Sequence, residues 1–264
     1  MVREDDLERY YITLFAPSWA QPQLWALFAF NQEVAKTREN VSEPMIGEIR
    51  LQWWREALEG ISNGKPREHP VVQALSGVTA FTRIRPMLDE IIDGREQDLS
   101  TEVATDFKSL AAYADKVGGA LCVAAAYILD GGIPASDISA ARATGRVWAM
   151  IGILRALPFQ IKDDKEFSAT GASLQGFRGV TIREMEQRLK PLTTAMFSFI
   201  EEGFTEATTP VSTSIRPVMA LNSLSKLHMD ALDKAEGSPF RMTEYEKGNL
   251  SKLLALLSYH LFKR

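Results

Sequence analysis

The stretch "FAFNQEVAKTREN", residues 28–40, decides how the rest of the chain is read. Its spacing is helical. Phe30 and Val34 point one way, while Asn31, Ala35 and Glu39 follow one another at steps of four, with Lys36 and Arg38 beside them. A helix this apolar at its start, with an amide, a methyl and a carboxylate along one stripe, carries either a working polar site or the remains of one.

Helical periodicity extends outward on both sides. Helices are predicted over 2–15, 21–39, 43–63, 68–78, 84–99, 104–130, 136–161, 182–206, 213–235 and 242–262. No convincing strand or Asn-Gly or Asp-Gly hairpin interrupts them. Pro17 and Pro22 bracket a turn, and Ser42 before Glu43 and Pro44 reads as an N-cap followed by an early proline. "DGGIPASD" at 130–137 is a stop and a fresh start, and Thr243 with Glu246 three residues on has capping-box spacing. The one long irregular segment is 162–181, rich in Gly, Ser, Thr and charge. With no repeat and no evident linker, residues 1–264 are expected to form a single all-α domain.

Composition narrows the function. Of 264 residues, 45% are hydrophobic, enough for a sizeable core. A net charge of −4 gives no basic footprint for nucleic acid. The single cysteine, Cys122, fits a reducing compartment, and its apolar surroundings favour packing over nucleophilic use. "MVREDDLERYY" has neither the basic flank and apolar run of a secretory signal nor the arginines of a transit peptide. The apolar run 117–129 is shorter than the ~20 residues that span a bilayer and reads as a core helix. The expectation is a cytoplasmic protein without a transmembrane segment, with peripheral contact at the inner membrane left open.

Chemistry-bearing residues are few. His69, His228 and His260 are scattered, with no HExxH, Walker, GxGxxG or GxSxG pattern. Asp89 and Asp93 share a helix face that could hold a hard cation, or could simply be solvated, with Asp98 rotated off it. Arg50 and Arg55, in a helix that also carries Trp53 and Trp54, read as diphosphate ligands or as partners of Glu48, Glu56 and Glu59. Arg146 and Arg155 interrupt an apolar helix beside Trp148 and Met150, either snorkelling from its flanks or lining a cavity. In "YADKVGGAL", Tyr113 precedes Gly118 and Gly119, whose helical cost of roughly 1 kcal/mol each calls for close packing or a ligand against the backbone.

Taken in order, "LWALFAFNQEVAKTRENVSEP", "IRLQWWREAL", "IIDGREQDL", "YADKVGGALCVAAAYIL" and "ATGRVWAMIGILRALPFQ" resemble the squalene and phytoene synthase family over about residues 10–160. The resemblance implies an all-α isoprenoid (terpenoid) synthase-like fold with a central cavity. Active members join two prenyl diphosphates head to head, with magnesium held by two Asp-rich motifs on facing helices. Leaving-group charge needs those cations, and an apolar cavity shelters the carbocation from water. The first motif, F-C-R-x-x-D-D-x-x-D, falls on Phe30 to Glu39, so Asn31 and Gln32 replace the Cys and Arg, Ala35 and Lys36 the first two aspartates, and Glu39 the third. The second, N-I-L-R-D-x-x-x-D, falls on Gly152 to Gln160, with Arg155 retained and Ala156 and Gln160 in place of the aspartates. Asp93 and Asp98 keep the "IDGxxxDL" block.

"AFNQEVA", "VSEPMIGEIRLQWW" and "LRALP" further resemble the family's non-catalytic branch, a mitochondrial complex I assembly factor and its bacterial relatives. That branch implies no catalytic residue and no cofactor, with respiratory-complex subunits or assembly proteins as partners and an isoprenoid or quinone-like lipid as ligand. Phe30, Arg50, Trp53, Trp54, Asp93, Asp98, Tyr113, Gly118, Gly119 and Arg146 are then the cavity candidates. The alternative is a magnesium-dependent prenyl transferase with a non-standard metal site built from Asp89, Asp93 or Asp98.

Overall fold

The first helix of substance, α3 (Gln21–Ala35), is buried along most of its length, because Leu24, Leu27, Phe28, Phe30 and Val34 leave no broad polar face. It is preceded by α1 (Val2–Asp5) and α2 (Leu7–Thr13). It is followed by α4 (Pro44–Ser62), α5 (Pro70–Ser76) and α6 (Phe81–Glu96), the last extended by a 3₁₀ turn, Gln97–Leu99. Next come α7 (Phe107–Ala114), a π-helical turn (Asp115–Gly119), α8 (Ala120–Leu129), α9 (Ala135–Lys162) and α10 (Ile182–Ala207). The short α11 (Arg216–Met219), α12 (Leu221–Lys234) and α13 (Asn249–Phe262) complete the order. The computed structural model describes residues 2–41, 43–99, 107–162 and 180–262, apart from the side chains of Asp5 and residues 160–162. Among the described residues there is no strand. The expected N-cap Ser42 and nearly all of the irregular 162–181 segment lie outside them.

The punctuation works largely as the residues dictate. Pro44 and Pro70 open α4 and α5 in the first turn, where a missing N–H costs nothing. The capping box is at Thr181–Glu184, where the Glu184 carboxylate accepts from the Thr181 N–H at 2.9 Å and starts α10. The box expected at Thr243 and Glu246 does not form. Met242–Glu244 is a 3₁₀ turn, α13 starts at Asn249, and Glu246 is drawn into an ion cluster instead.

The helical run Phe107–Leu129 is long and apolar enough to cross a membrane by length and composition, yet most of it is buried within the protein. It packs along α9, and the crossing explains its glycines. A Cβ on Gly118 would lie 2.2 Å from the Gly145 carbonyl oxygen, and one on Gly145 would lie 2.0 Å from that of Gly118. Backbone meets backbone there, so close packing offsets the helical cost of Gly118, and the π-helical turn sits at the same contact. Sequence reading found Gly118 but not its counterpart Gly145.

Candidate functional site

The first degenerate motif lies at the C-terminal end of α3. The helix stops at Ala35, with Lys36 as its C-cap donating its N–H to the Gln32 carbonyl at 3.0 Å. Asn31 and Ala35 therefore keep a common face, whereas Glu39 falls in the exposed turn beyond and leaves it. Asn31 and Gln32 are each only 6% exposed. The Asn31 Oδ1, both ends of the Gln32 amide and the Thr37 hydroxyl are buried with no protein partner. Such atoms cost about 1–3 kcal/mol each when unsatisfied, so they mark a place where the fold tolerates polarity it does not use for packing. Phe30 instead belongs to the core, its ring edge-on to Trp54 at 5.3 Å. Trp53 packs edge-on against Trp54 and lies under the Arg67 guanidinium.

The acidic residues near this end are already engaged. Asp89 pairs with Arg85 on its own helix, while Asp93 takes Arg55 from α4 at 2.6 Å, so the two do not act as a pair. Arg55 also reaches Glu96 at 2.5 Å, and Arg50 lies 3.3 Å from Glu33. Both arginines of α4 thus pair between helices, not with Glu48, Glu56 or Glu59. Asp98 is deeper. It accepts from the Tyr113 hydroxyl at 3.1 Å and from Arg95 at 3.3 Å, and Arg95 also donates to the Tyr113 oxygen at 2.6 Å. Burial pushes the Asp98 carboxyl above the usual carboxylate range despite Arg95, and burial also raises the Tyr113 phenol. Gly119 lies against Arg142 and Asp115. Arg142 bridges Asp115 (2.8 Å) and Glu90 (3.0 Å), and Arg146 binds Glu206 at 2.7 Å and approaches Asp115 at 3.7 Å.

The second degenerate motif lies on α9. Gly152 faces open space and borders two clefts, of about 390 and about 330 Å³. Arg155 lines both, Ala156 the smaller, and the Gln160 side chain is outside the described residues. Arg155 belongs to a five-residue ion network. Its guanidinium binds Glu246 at 2.7 Å and Glu8 at 3.3 Å. His228, 2% exposed, lies 2.9 Å from Glu8 and 3.4 Å from Glu246, and Lys252 reaches Glu8 at 2.7 Å. Burial alone would raise the Glu8 carboxyl, but His228, Lys252 and Arg155 together hold it far below the usual range. His228 moves the other way: burial opposes its charge, and the two carboxylates outweigh burial and raise its pKa. Sequence reasoning missed Glu8, His228, Glu246 and Lys252 as a unit. Glu8 and His228 alone are 220 residues apart, and no local spacing announces the set.

This donor set does not fit magnesium. Ala35 and Ala156 supply no oxygen, Lys36 brings a positive charge, and Asp93 and Asp98 are held by arginines. Among the described residues, no three His, Cys, Asp or Glu side chains are placed to hold a metal ion. Cys122 is buried, with its thiol pushed up to about 12, unsuited to attack.

Comparison with known proteins identifies the family and the fold. The human protein named NADH dehydrogenase (ubiquinone) complex I, assembly factor 6, is 30% identical over 171 residues, covering 63% of this chain and 50% of that one. The rat protein of the same name is 31% identical over 163 residues, 60% and 48% of the two chains. The chain thus spans about half the length of these curated relatives. Among solved structures, a dehydrosqualene synthase superposes with a TM-score of 0.73 at 16% identity, covering 98% of this chain and 92% of that one. The squalene synthase of Alicyclobacillus acidocaldarius gives 0.73 at 14% identity, covering 90% and 92%. These two show the fold, all-α and isoprenoid-synthase-like. The squalene/phytoene synthase family model matches residues 2–166, and the chain belongs to that family.

Proposed function

We propose that this chain is a catalytically silent member of its family, a single domain that acts in the biogenesis of respiratory complex I by binding a subunit or assembly protein. One observation carries the reading: both places where the family holds magnesium have lost their aspartates, Glu39 alone remains as a carboxylate in the exposed turn past α3, and Asp93 and Asp98 are held by arginines. Ionising a prenyl diphosphate needs cations at the leaving group, and this donor set gives them no seat. The name borne by the human and rat relatives supports the assembly role. The buried Gln32 amide and Asn31 Oδ1, without protein partners, favour an uncharged isoprenoid or quinone-like lipid over a diphosphate, since an amide bonds a carbonyl or hydroxyl without a counter-ion. A role in complex I biogenesis would set the protein to work at the inner membrane.

The test has two arms. Purified protein is incubated with farnesyl or geranylgeranyl diphosphate and magnesium, and no diphosphate release or head-to-head product is expected. In a deletion strain the level of assembled complex I is measured, and a loss restored by the wild-type gene is expected. Appreciable product in the first arm, or intact complex I in the second, rejects the reading.

A further inference from the structure

α13 rests on the protein along a narrow inner line. Lys252 and Leu256 are buried, with the Lys252 ammonium on Glu8 at 2.7 Å, and the His260 ring stacks on Phe15 with centroids 4.3 Å apart. The opposite side carries Leu250, Leu254, Leu257 and Leu261, exposed by 72, 56, 44 and 66%, and Phe262 by 79%. At 3.6 residues per turn the four leucines form one stripe about 60° wide. So much apolar surface on a single short helix marks a contact.

Three features choose the occupant. The steps of four, three and four are those of a coiled-coil seam, narrower than the broad apolar face with which a helix lies in a bilayer surface. The steps also read the same in both directions. A two-fold axis crossing the helix between Ala255 and Leu256 sets Leu250 against the second copy's Leu261, and Leu254 against its Leu257. Finally, the stripe is uncharged. Residues 248–262 contain no Asp, Glu or Arg and the single lysine Lys252, which is turned inward to Glu8, while Ser251 and Ser258 flank the leucines. Between Leu250 and Leu261 a second copy therefore meets no like charge, whereas an anionic bilayer finds no outward cation along the stripe, the remaining basic residues, Lys247, Lys263 and Arg264, coming before and after it in the sequence. Two such faces would remove on the order of 1,000 Å² from water, the lower bound for a specific interface, which suits a dimer in exchange with monomer.

We infer that α13 is a homodimer interface in which two copies pair antiparallel through Leu250, Leu254, Leu257 and Leu261. The test is sedimentation equilibrium of the full chain over a wide concentration range. Wild type is expected to pass from monomer to dimer, and L254E and L257K each to weaken the dimer at least tenfold while keeping the wild-type helical circular dichroism. The double variant L254E/L257K is expected to recover dimerisation. Only the antiparallel pairing sets the carboxylate introduced at position 254 opposite the ammonium introduced at position 257 of the second copy. A wild type monomeric throughout, a dimer that L254E leaves unweakened, or a double variant no better than the singles overturns the proposal. Monomeric protein that pellets with anionic phospholipid vesicles, and loses this in L254E, also overturns it and assigns the stripe to a lipid surface.

Discussion

The two regions that align with the family's Asp-rich motifs depart from that pattern in opposite ways. At the end of α3 the positions are emptied: Ala35 is a methyl, and the Asn31 and Gln32 amides are buried with unpartnered atoms. On α9 the ground is refilled: Arg155 is tied to Glu8 and Glu246, which share His228, and Lys252 closes the network on Glu8. The first region contains polarity without partners, the second charge with every partner satisfied. The two departures from the family's Asp-rich pattern are therefore different in kind. One is a set of buried polar atoms that costs stability, the other a bolt that joins α2, α9, α12 and α13.

The largest expected effect breaks the bolt. Glu8→Ala leaves Lys252, His228 and Arg155 without the carboxylate they share, and removal of one member of a buried ion pair costs about 3–5 kcal/mol. Urea unfolding should show that loss as a lower midpoint at unchanged slope. A loss below about 1 kcal/mol, the range of exposed pairs, would mean that the network is ornamental and that the two remnants do not differ in kind.

The same network gives the second region a pH dependence that the first lacks. Glu8 is depressed in the folded state, so its contribution is present above its unfolded value near 4.5 and fades as pH falls toward the folded pKa. His228 is raised, so its contribution is full below about 6.5 and is lost as pH rises through its folded value. Stability should peak between those limits. His228→Gln keeps a donor but not the charge, and should cost about 2 kcal/mol near pH 6 and progressively less at higher pH. An equal cost at about pH 6 and about pH 9, measured by urea unfolding, would show that the imidazole is neutral in the fold.

Substitution in the first region should run the other way. Gln32→Met conserves volume and removes a buried amide with no protein partner at either end. The expected change is a gain of about 1 kcal/mol, in contrast to the loss at Glu8. The same variant should lower affinity for a quinone-like lipid if the amide serves one, so that stability rises as function falls. A destabilised Gln32→Met would mean that the amide is satisfied in solution and that the first region is as well built as the second.

These two regions were unequally legible. The helices, and the emptied motif on α3, follow from periodicity and from the ordered blocks, because each is written within a few dozen residues. Glu39 was placed on the Asn31 stripe by extending α3 four residues too far, past the Lys36 cap. The ion network could not be read at all. Glu8 and His228 are 220 residues apart, and Glu246 has the spacing of a helix cap that the fold does not use. Charges that pair across a tertiary fold leave no periodic trace, whereas an absent carboxylate at a motif position is visible at once. Gly118, doubled with Gly119, announced a close approach, and its counterpart Gly145 carried the same signal more weakly as a single glycine inside a helix.

The smallest effect separates the two surviving acids of the "IDGREQDL" block. Asp93 is 48% exposed and meets Arg55 at 2.6 Å, and Arg55 keeps Glu96 when Asp93 is gone. Asp93→Asn should therefore cost at most about 1 kcal/mol, as exposed pairs do. Asp98, at 11%, is the partner that Arg95 and Tyr113 share, so Asp98→Asn leaves a buried guanidinium without its counter-charge and should cost about 3 kcal/mol. In a metal-using enzyme both acids would be expected to bind cation, and magnesium with a prenyl diphosphate would raise the melting temperature of wild type but of neither variant. Here no such shift is expected in any of the three, and the variants should differ only in stability, ranked by burial. A magnesium-dependent shift that Asp93→Asn abolishes would return Asp93 to chemistry and reopen the enzyme.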